Sequence, residues 1–214
     1  LLPFLNSKSM AGKFAVGEFF DGNVHLLRQW VVDPRGMRGR ASAFDFPTRF
    51  LLAAMCNQPG HFNMAALDHC GLAGSDPRFA VTFVENHDTD TSPSLAPIVK
   101  NKALAYAYIL TSEGHPCVFY RDYSADPGCY NVKPVIDNLI WIHENLAFGP
   151  TQQRWKDLEV FAYERLGGPH LLVGLNNDPD YPRRIVVDTA FGADAPLHDY
   201  TGHMTDIVTD HNGR

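Results

Sequence analysis

The stretch Phe79-Ala80-Val81-Thr82-Phe83-Val84-Glu85, running straight into Asn86-His87-Asp88-Thr89-Asp90, decides how this chain is read. A run of aromatic and β-branched residues after the turn Ser75-Asp76-Pro77 predicts a buried strand, and the loop that follows is crowded with titratable side chains. Downstream, Pro97 opens a helix predicted over Ile98 to Thr111, apolar on most sides and hence buried, with Gly114 ending it. His115-Pro116 leads into a further strand, Cys117 to Tyr120. Pro134 then opens a helix to about Leu146, with Val135, Leu139, Ile142 and Leu146 on one face, and Gly149-Pro150 stops it.

Upstream the same rhythm appears. Lys13 to Phe19 predicts a strand and Val24 to Val32 a short helix; Ser42 to Phe46 predicts another strand. Asp45-Phe46-Pro47 then supplies a cap and a first-turn proline for a helix over Thr48 to Cys56, expected to bury Phe50, Leu51, Ala54 and Met55. Strands alternating with helices imply a parallel sheet, because each strand needs a crossover to return in the same direction. Four such units are half of an eightfold barrel, which takes about 250 residues. After Pro150 helical spacing is lost. Leu158 to Arg165, His170 to Asn176 and Arg183 to Asp188 predict short antiparallel strands, joined by Gly167-Gly168 and Asp178-Pro179-Asp180 turns. The expected division is residues 1–149 as half a barrel and 150–214 as a small, incomplete β domain.

Composition narrows the function classes. The 214 residues carry 18 basic and 24 acidic side chains, a net charge of −6, without basic clusters, so nucleic acid is not an expected partner. The longest apolar run, Ala103 to Leu110, is far short of the roughly 20 residues a membrane helix needs, and no membrane partner is expected. Cys56, Cys70, Cys117 and Cys129 show no zinc spacing; they read as free thiols, with Cys56–Cys70 and Cys117–Cys129 bridges as the alternative. The chain opens at Leu1 without a Met and stops on the turn-like His211-Asn212-Gly213-Arg214, so a processed or truncated chain is expected.

In parallel α/β folds the chemistry lies beyond the C-terminal ends of the strands. That rule selects Glu18, flanked by Val16, Phe19 and Phe20, where desolvation would raise a carboxyl pKa toward that of a general acid. It also selects Asn86-His87-Asp88, where a carboxylate in a polar loop can stay ionised while another works as the acid. Asp21, Asp90, Tyr123 and His115 stand close enough to these strand ends to be candidate ligand contacts. His87, Asp88 and Asp90 lack a second histidine at ligand spacing, so no metal site is expected. Trp30, Trp141 and Trp155 are expected to pack rather than to bind.

These residues carry a resemblance. Phe83-Val84-Glu85-Asn86-His87-Asp88-Thr89 resembles the NHD motif of the α-amylase family, glycoside hydrolase family thirteen. Ala15-Val16-Gly17-Glu18 resembles its fifth-strand motif and Ser42 to Pro47 its sixth-strand segment. Gly114-His115-Pro116-Cys117-Val118-Phe119-Tyr120 resembles its eighth-strand element. The resemblance implies strands five to eight of a (β/α)8 TIM barrel followed by a small antiparallel β-sandwich. It implies a retaining hydrolase of α-1,4-glucans such as starch, glycogen or maltooligosaccharides, with a transglycosylase or a non-catalytic carbohydrate binder as alternatives.

Roles follow residue by residue. Glu18 matches the general acid/base and Asp88 the carboxylate that stabilises the transition state. His87 matches a sugar-binding histidine; Asn86, Asp21 and Tyr123 are expected substrate contacts. The family's nucleophile is an Asp before the Glu strand, and residues 1–17 contain neither Asp nor Glu. The chain alone is therefore expected to be inactive. Glu85 and Arg121 depart from the family pattern, which commonly has Asp or Gly and Gly there. The resemblance further implies calcium in the full-length enzyme, with no ligands located in this chain, secretion, and a monomer when complete.

Overall fold

Four short parallel strands set the frame in the computed structural model, which describes all 214 residues. They are β1 (Val16–Gly17), β2 (Ser42–Phe44), β3 (Ala80–Phe83) and β4 (His115–Cys117), hydrogen-bonded in sequence order. The register pairs Val16 with Ser42, Ala43 with Ala80 and Val81 with His115. A flat sheet would hold β1 and β4 about 14 Å apart, three strand spacings. The rings of Phe14 and His115, at the starts of those strands, meet with centroids 5.6 Å apart. The sheet is therefore strongly curled, as barrel strands are.

Helices α2 (Val24–Val32), α3 (Phe46–Asn57), α4 (Lys102–Thr111) and α6 (Lys133–Asn145) follow these strands; the four-residue α1 (Leu2–Leu5) and α5 (Tyr120–Tyr123) flank them. Asn23 caps α2 by accepting the His25 amide at 2.9 Å, and Asp45 caps α3 by accepting that of Thr48 at 3.2 Å. Trp30 of α2 lies on Gly17, where an added Cβ would come within 2.3 Å of its ring, so only glycine fits between helix and strand. Trp30 packs, as expected.

Several boundaries and faces differ from expectation. The run Lys13 to Phe19 pairs only at Val16–Gly17, because β1 is an edge strand. Helix α4 begins at Lys102 rather than Ile98, since Asn101 takes a left-handed conformation (φ 49°). In α3 the fully buried face is Leu52, Ala53, Met55 and Cys56, so only Met55 of the expected four is on it. In α6, Ile136 takes the buried place expected of Val135, which is exposed. All four cysteines are free thiols.

The tail is a three-stranded antiparallel sheet, β5 (Thr151–Lys156), β6 (Val160–Arg165) and β7 (Leu171–Asn176), plus a two-stranded ribbon, β8 (Pro196–Leu197) with β9 (Ile207–Val208). Arg183 to Asp188, expected to be a strand, pairs with nothing, whereas β5 was not anticipated. The expected sandwich does not form within these residues. Instead Phe161, Tyr163, Val173 and Leu175 enter the same 22-residue core as Leu52, Ile109 and Leu139 of the helices. The seam is also polar: Arg165 donates to Thr111 O at 2.8 Å and to Gly149 O, and Tyr163 and Thr111 share a 2.6 Å hydroxyl contact. Each fully buried large apolar side chain there contributes about 1.5–3 kcal/mol.

Candidate active site

Because the strands are parallel and adjacent, the residues that leave their C-terminal ends gather at one end of the sheet. Glu18 follows β1 directly, Asp45 follows β2, Glu85 to Asp90 follow β3, and Phe119 to Arg121 follow β4. The sequence-predicted acids Glu18 and Asp88 thus share that end. His115 does not, for it begins β4 at the opposite end, ring against Arg78 O.

The loop after β3 is held from within. Asn86 Oδ1 accepts the amides of Asp88 at 3.0 Å and Thr89 at 2.9 Å, so the expected substrate contact Asn86 is also what folds its own loop. This turns His87 and Asp88 outward: their side chains are 80% and 55% exposed and meet at 3.5 Å. Beneath them lies a buried charge cluster that the sequence reading missed. Arg49 of α3, fully buried, pairs with Glu85 at 2.7 Å and donates to the carbonyls of Val84, Leu95 and Ala96. Glu85 in turn accepts from the Thr89 hydroxyl and from the Ile98 amide. Lys102 Nζ lies 2.7 Å from Asp122 and 3.9 Å from both Glu85 and Asp90.

Arg121 joins the two loops by pairing with Asp90, and its Nη2 donates to Gly128 O at 2.9 Å. Three cations thus face three carboxylates. Buried ion pairs add little net stability because desolvation offsets their attraction, but losing one partner is costly. The cluster therefore fixes loop geometry more than it adds stability. Tyr130 closes it: Lys102 Nζ sits 4.2 Å over its ring, and the nearby Asp90 carboxylate is the main reason its pKa is pushed up to about 12. Asp90, expected from its position as a candidate ligand contact, is buried in this cluster instead. The sequence signal for all this was thin: a lone Arg inside the apolar run Phe46 to Met55, and a lone Lys opening an apolar helix.

Asp45 does similar work beside it. It is buried and accepts the Thr48 hydroxyl at 2.8 Å and the amides of Leu72 and Ala73 at 3.0 and 2.8 Å. Burial, outweighing those hydrogen bonds, raises its pKa. Gly71, at φ +62°, passes so close that a Cβ would lie 2.0 Å from Thr48 Oγ1.

The loop after β1 is looser. Glu18 is exposed, so the desolvation expected of it is absent in this chain. Asp21 accepts the Asn23 amide at 2.7 Å and shapes the entry to α2. Tyr123 is diverted: its hydroxyl donates to Asp137 at 2.8 Å and accepts from Lys133 at 2.6 Å, on the face between α5 and α6.

The structure contains no cluster of three or more His, Cys, Asp or Glu side chains placed to hold a metal. The acids that do converge, Glu85, Asp90 and Asp122, surround the Lys102 ammonium, so these residues do not fit a calcium centre.

No family model matches the chain. Among characterised proteins it is 32% identical over 215 residues to an alpha-amylase of Geobacillus stearothermophilus, covering 94% of this chain and 38% of that protein. Among solved structures, an alpha-amylase from Malbranchea cinnamomea superposes with TM-score 0.70 at 19% identity, over 100% of this chain and 50% of that one. Gamma-CGTase from alkalophilic Bacillus clarkii gives 0.68 at 24%, over 94% and 33%. The chain spans well under two thirds of the length of these proteins. Along nearly all of its own length, in sequence and in fold, it is a relative of the α-amylase family of glycoside hydrolases.

Proposed function

We propose that this chain supplies the acid/base side of a retaining α-glucan-active site, and that the attacking carboxylate comes from a barrel portion outside these 214 residues. The observation that carries this is the shared sheet end: Glu18 and His87-Asp88 leave the same end of one curled parallel sheet. In the proposed reaction the Glu18 carboxyl gives its proton to the glycosidic oxygen as the bond to the anomeric carbon breaks. The external Asp takes that carbon as a glycosyl ester. Glu18, now ionised, removes a proton from the water that displaces the ester. His87 and Asp88 hold the sugar ring and offset the positive charge that develops on it. The 214 residues alone would then bind but not cleave.

Starch, glycogen and maltooligosaccharides are the substrates we assign, with hydrolysis as the outcome. Transglycosylation to a sugar hydroxyl is the second reading, supported by the structural likeness to a CGTase. The test joins the chain to an upstream barrel half and follows maltoheptaose, with and without added glucose as acceptor. Reducing ends without longer products indicate hydrolysis. Glu18→Gln should cut turnover by about 10²–10⁴-fold with the fold intact. Starch cleavage by the 214 residues alone would sink the proposal.

A further inference from the structure

The end of the sheet opposite the acids carries charge of the other sign. A basic side chain stands at the start of every strand: Lys13 just before β1, Arg40 before β2, Arg78 before β3, and His115 as the first residue of β4. They are far apart in the sequence, and parallel pairing of adjacent strands, about 4.8 Å apart, brings them together. With Phe14, Ser42 and Phe79 they line one cavity of about 190 Å³, to which no acidic side chain contributes.

The cations are held without being neutralised. Arg40 donates to Leu5 O at 2.9 Å, to Lys13 O at 3.1 Å and to Met10 O at 2.6 Å. Those three bonds fix the guanidinium and leave the rest of its N–H groups unused. Arg78 lies 4.7 Å over the Phe79 ring, and His115 donates from Nε2 to Arg78 O at 3.0 Å. Neither Lys13, Arg40 nor Arg78 is within ion-pair distance of a carboxylate, unlike Arg28, which takes Asp76. Among them Ser42, only 5% exposed, makes no side-chain hydrogen bond, so a buried hydroxyl without a partner also lines the cavity.

We propose that this cavity binds a tetrahedral oxyanion of the phosphate class. Drug-sized ligands need about 300 Å³ or more, so the occupant is small. An uncharged sugar would leave the cations unpaired, whereas a phosphate group accepts from a forked guanidinium, from the Lys13 ammonium and from the Ser42 hydroxyl at once. Lys13 leads into the edge strand β1, so an anion it shares with Arg40 and Arg78 ties the least-paired strand to its neighbours. The site lies away from the acids and needs no part of the glucan chemistry assigned above.

The test titrates the 214-residue chain with inorganic phosphate in a zwitterionic buffer, against sodium chloride at matched ionic strength, by calorimetry and by the thermal midpoint. Saturable binding is expected, with a rise in the midpoint that chloride does not reproduce. Lys13→Ala and Arg78→Ala, both at exposed side chains, should each weaken binding about tenfold, and Ser42→Ala less. Should Arg78→Ala misfold, Lys13→Ala carries the same test. Hydrogen exchange at the Ser42 amide, which donates to Ala15 O at 2.8 Å between β1 and β2, should slow when phosphate binds. Glucose 6-phosphate separates the two sources of the group: affinity equal to that of phosphate identifies a monoester site, and much lower affinity a site for the free ion. No saturable binding, an equal effect of chloride at matched ionic strength, or full affinity in both Lys13→Ala and Arg78→Ala would each overturn the proposal. All of these outcomes leave the assignment of Glu18 to be judged by turnover alone.

Discussion

The two acids at the sheet end stand on loops of opposite construction. The loop after β3, with Asp88, rests on Arg49, Glu85, Lys102, Asp90 and Arg121, all supplied by this chain. The loop after β1, with Glu18, follows a two-residue edge strand, and its carboxylate is exposed. One loop is braced by buried ion pairs and the other is not, so damage to the two should register in different assays.

The strongest way to break this contrast is Arg49→Ala. It leaves the buried Glu85 with only Lys102, 3.9 Å away, as a cation, and three carbonyls lose a donor. A loss of about 3–5 kcal/mol in urea unfolding is expected; a loss under 1 kcal/mol would mean the cluster does not hold the loop. Glu18→Gln, by contrast, should shift unfolding of this chain by no more than about 0.5 kcal/mol, because nothing in it leans on that side chain. A larger change would show that the loop after β1 is better braced than it looks.

The smallest effect is a titration. Tyr130 has its pKa pushed up to about 12 chiefly by the Asp90 carboxylate, so the neutral hydroxyl is favoured in the folded state. Its contribution is present below pH 10 and is lost as pH rises through about 12. The Tyr130 ring signals in NMR should titrate in that window and move back toward 10 in Asp90→Asn. Titration near 10 in the unaltered chain would break the link between the two loops.

Much of the frame was legible because apolar runs and Pro or Gly punctuation are local. The α2 limits and the β3–Asn86 junction show this. What escaped depended on partners distant in sequence. Arg49 reads as a surface residue until Glu85, 36 positions away, is beside it. Strand β5, Thr151–Lys156, is polar and shifts register between Gln153 and Trp155, so its alternation is broken. Arg183 to Asp188 has the β-branched residues of a strand, but no neighbour completes its ladder. For the site, positions at strand ends were readable and side-chain commitments were not: Tyr123 looks available until Asp137 and Lys133 claim its hydroxyl.

The tail strands have a further consequence. Since Phe161, Tyr163, Val173 and Leu175 lie in one core with Leu52, Ile109 and Leu139, a boundary at residue 149 is a line in the sequence and not a seam in the energetics. Cutting there would release no self-sufficient module. It would expose the backs of α3, α4 and α6 to water, so the tail covers the outer helices, and the two are expected to melt as one cooperative unit.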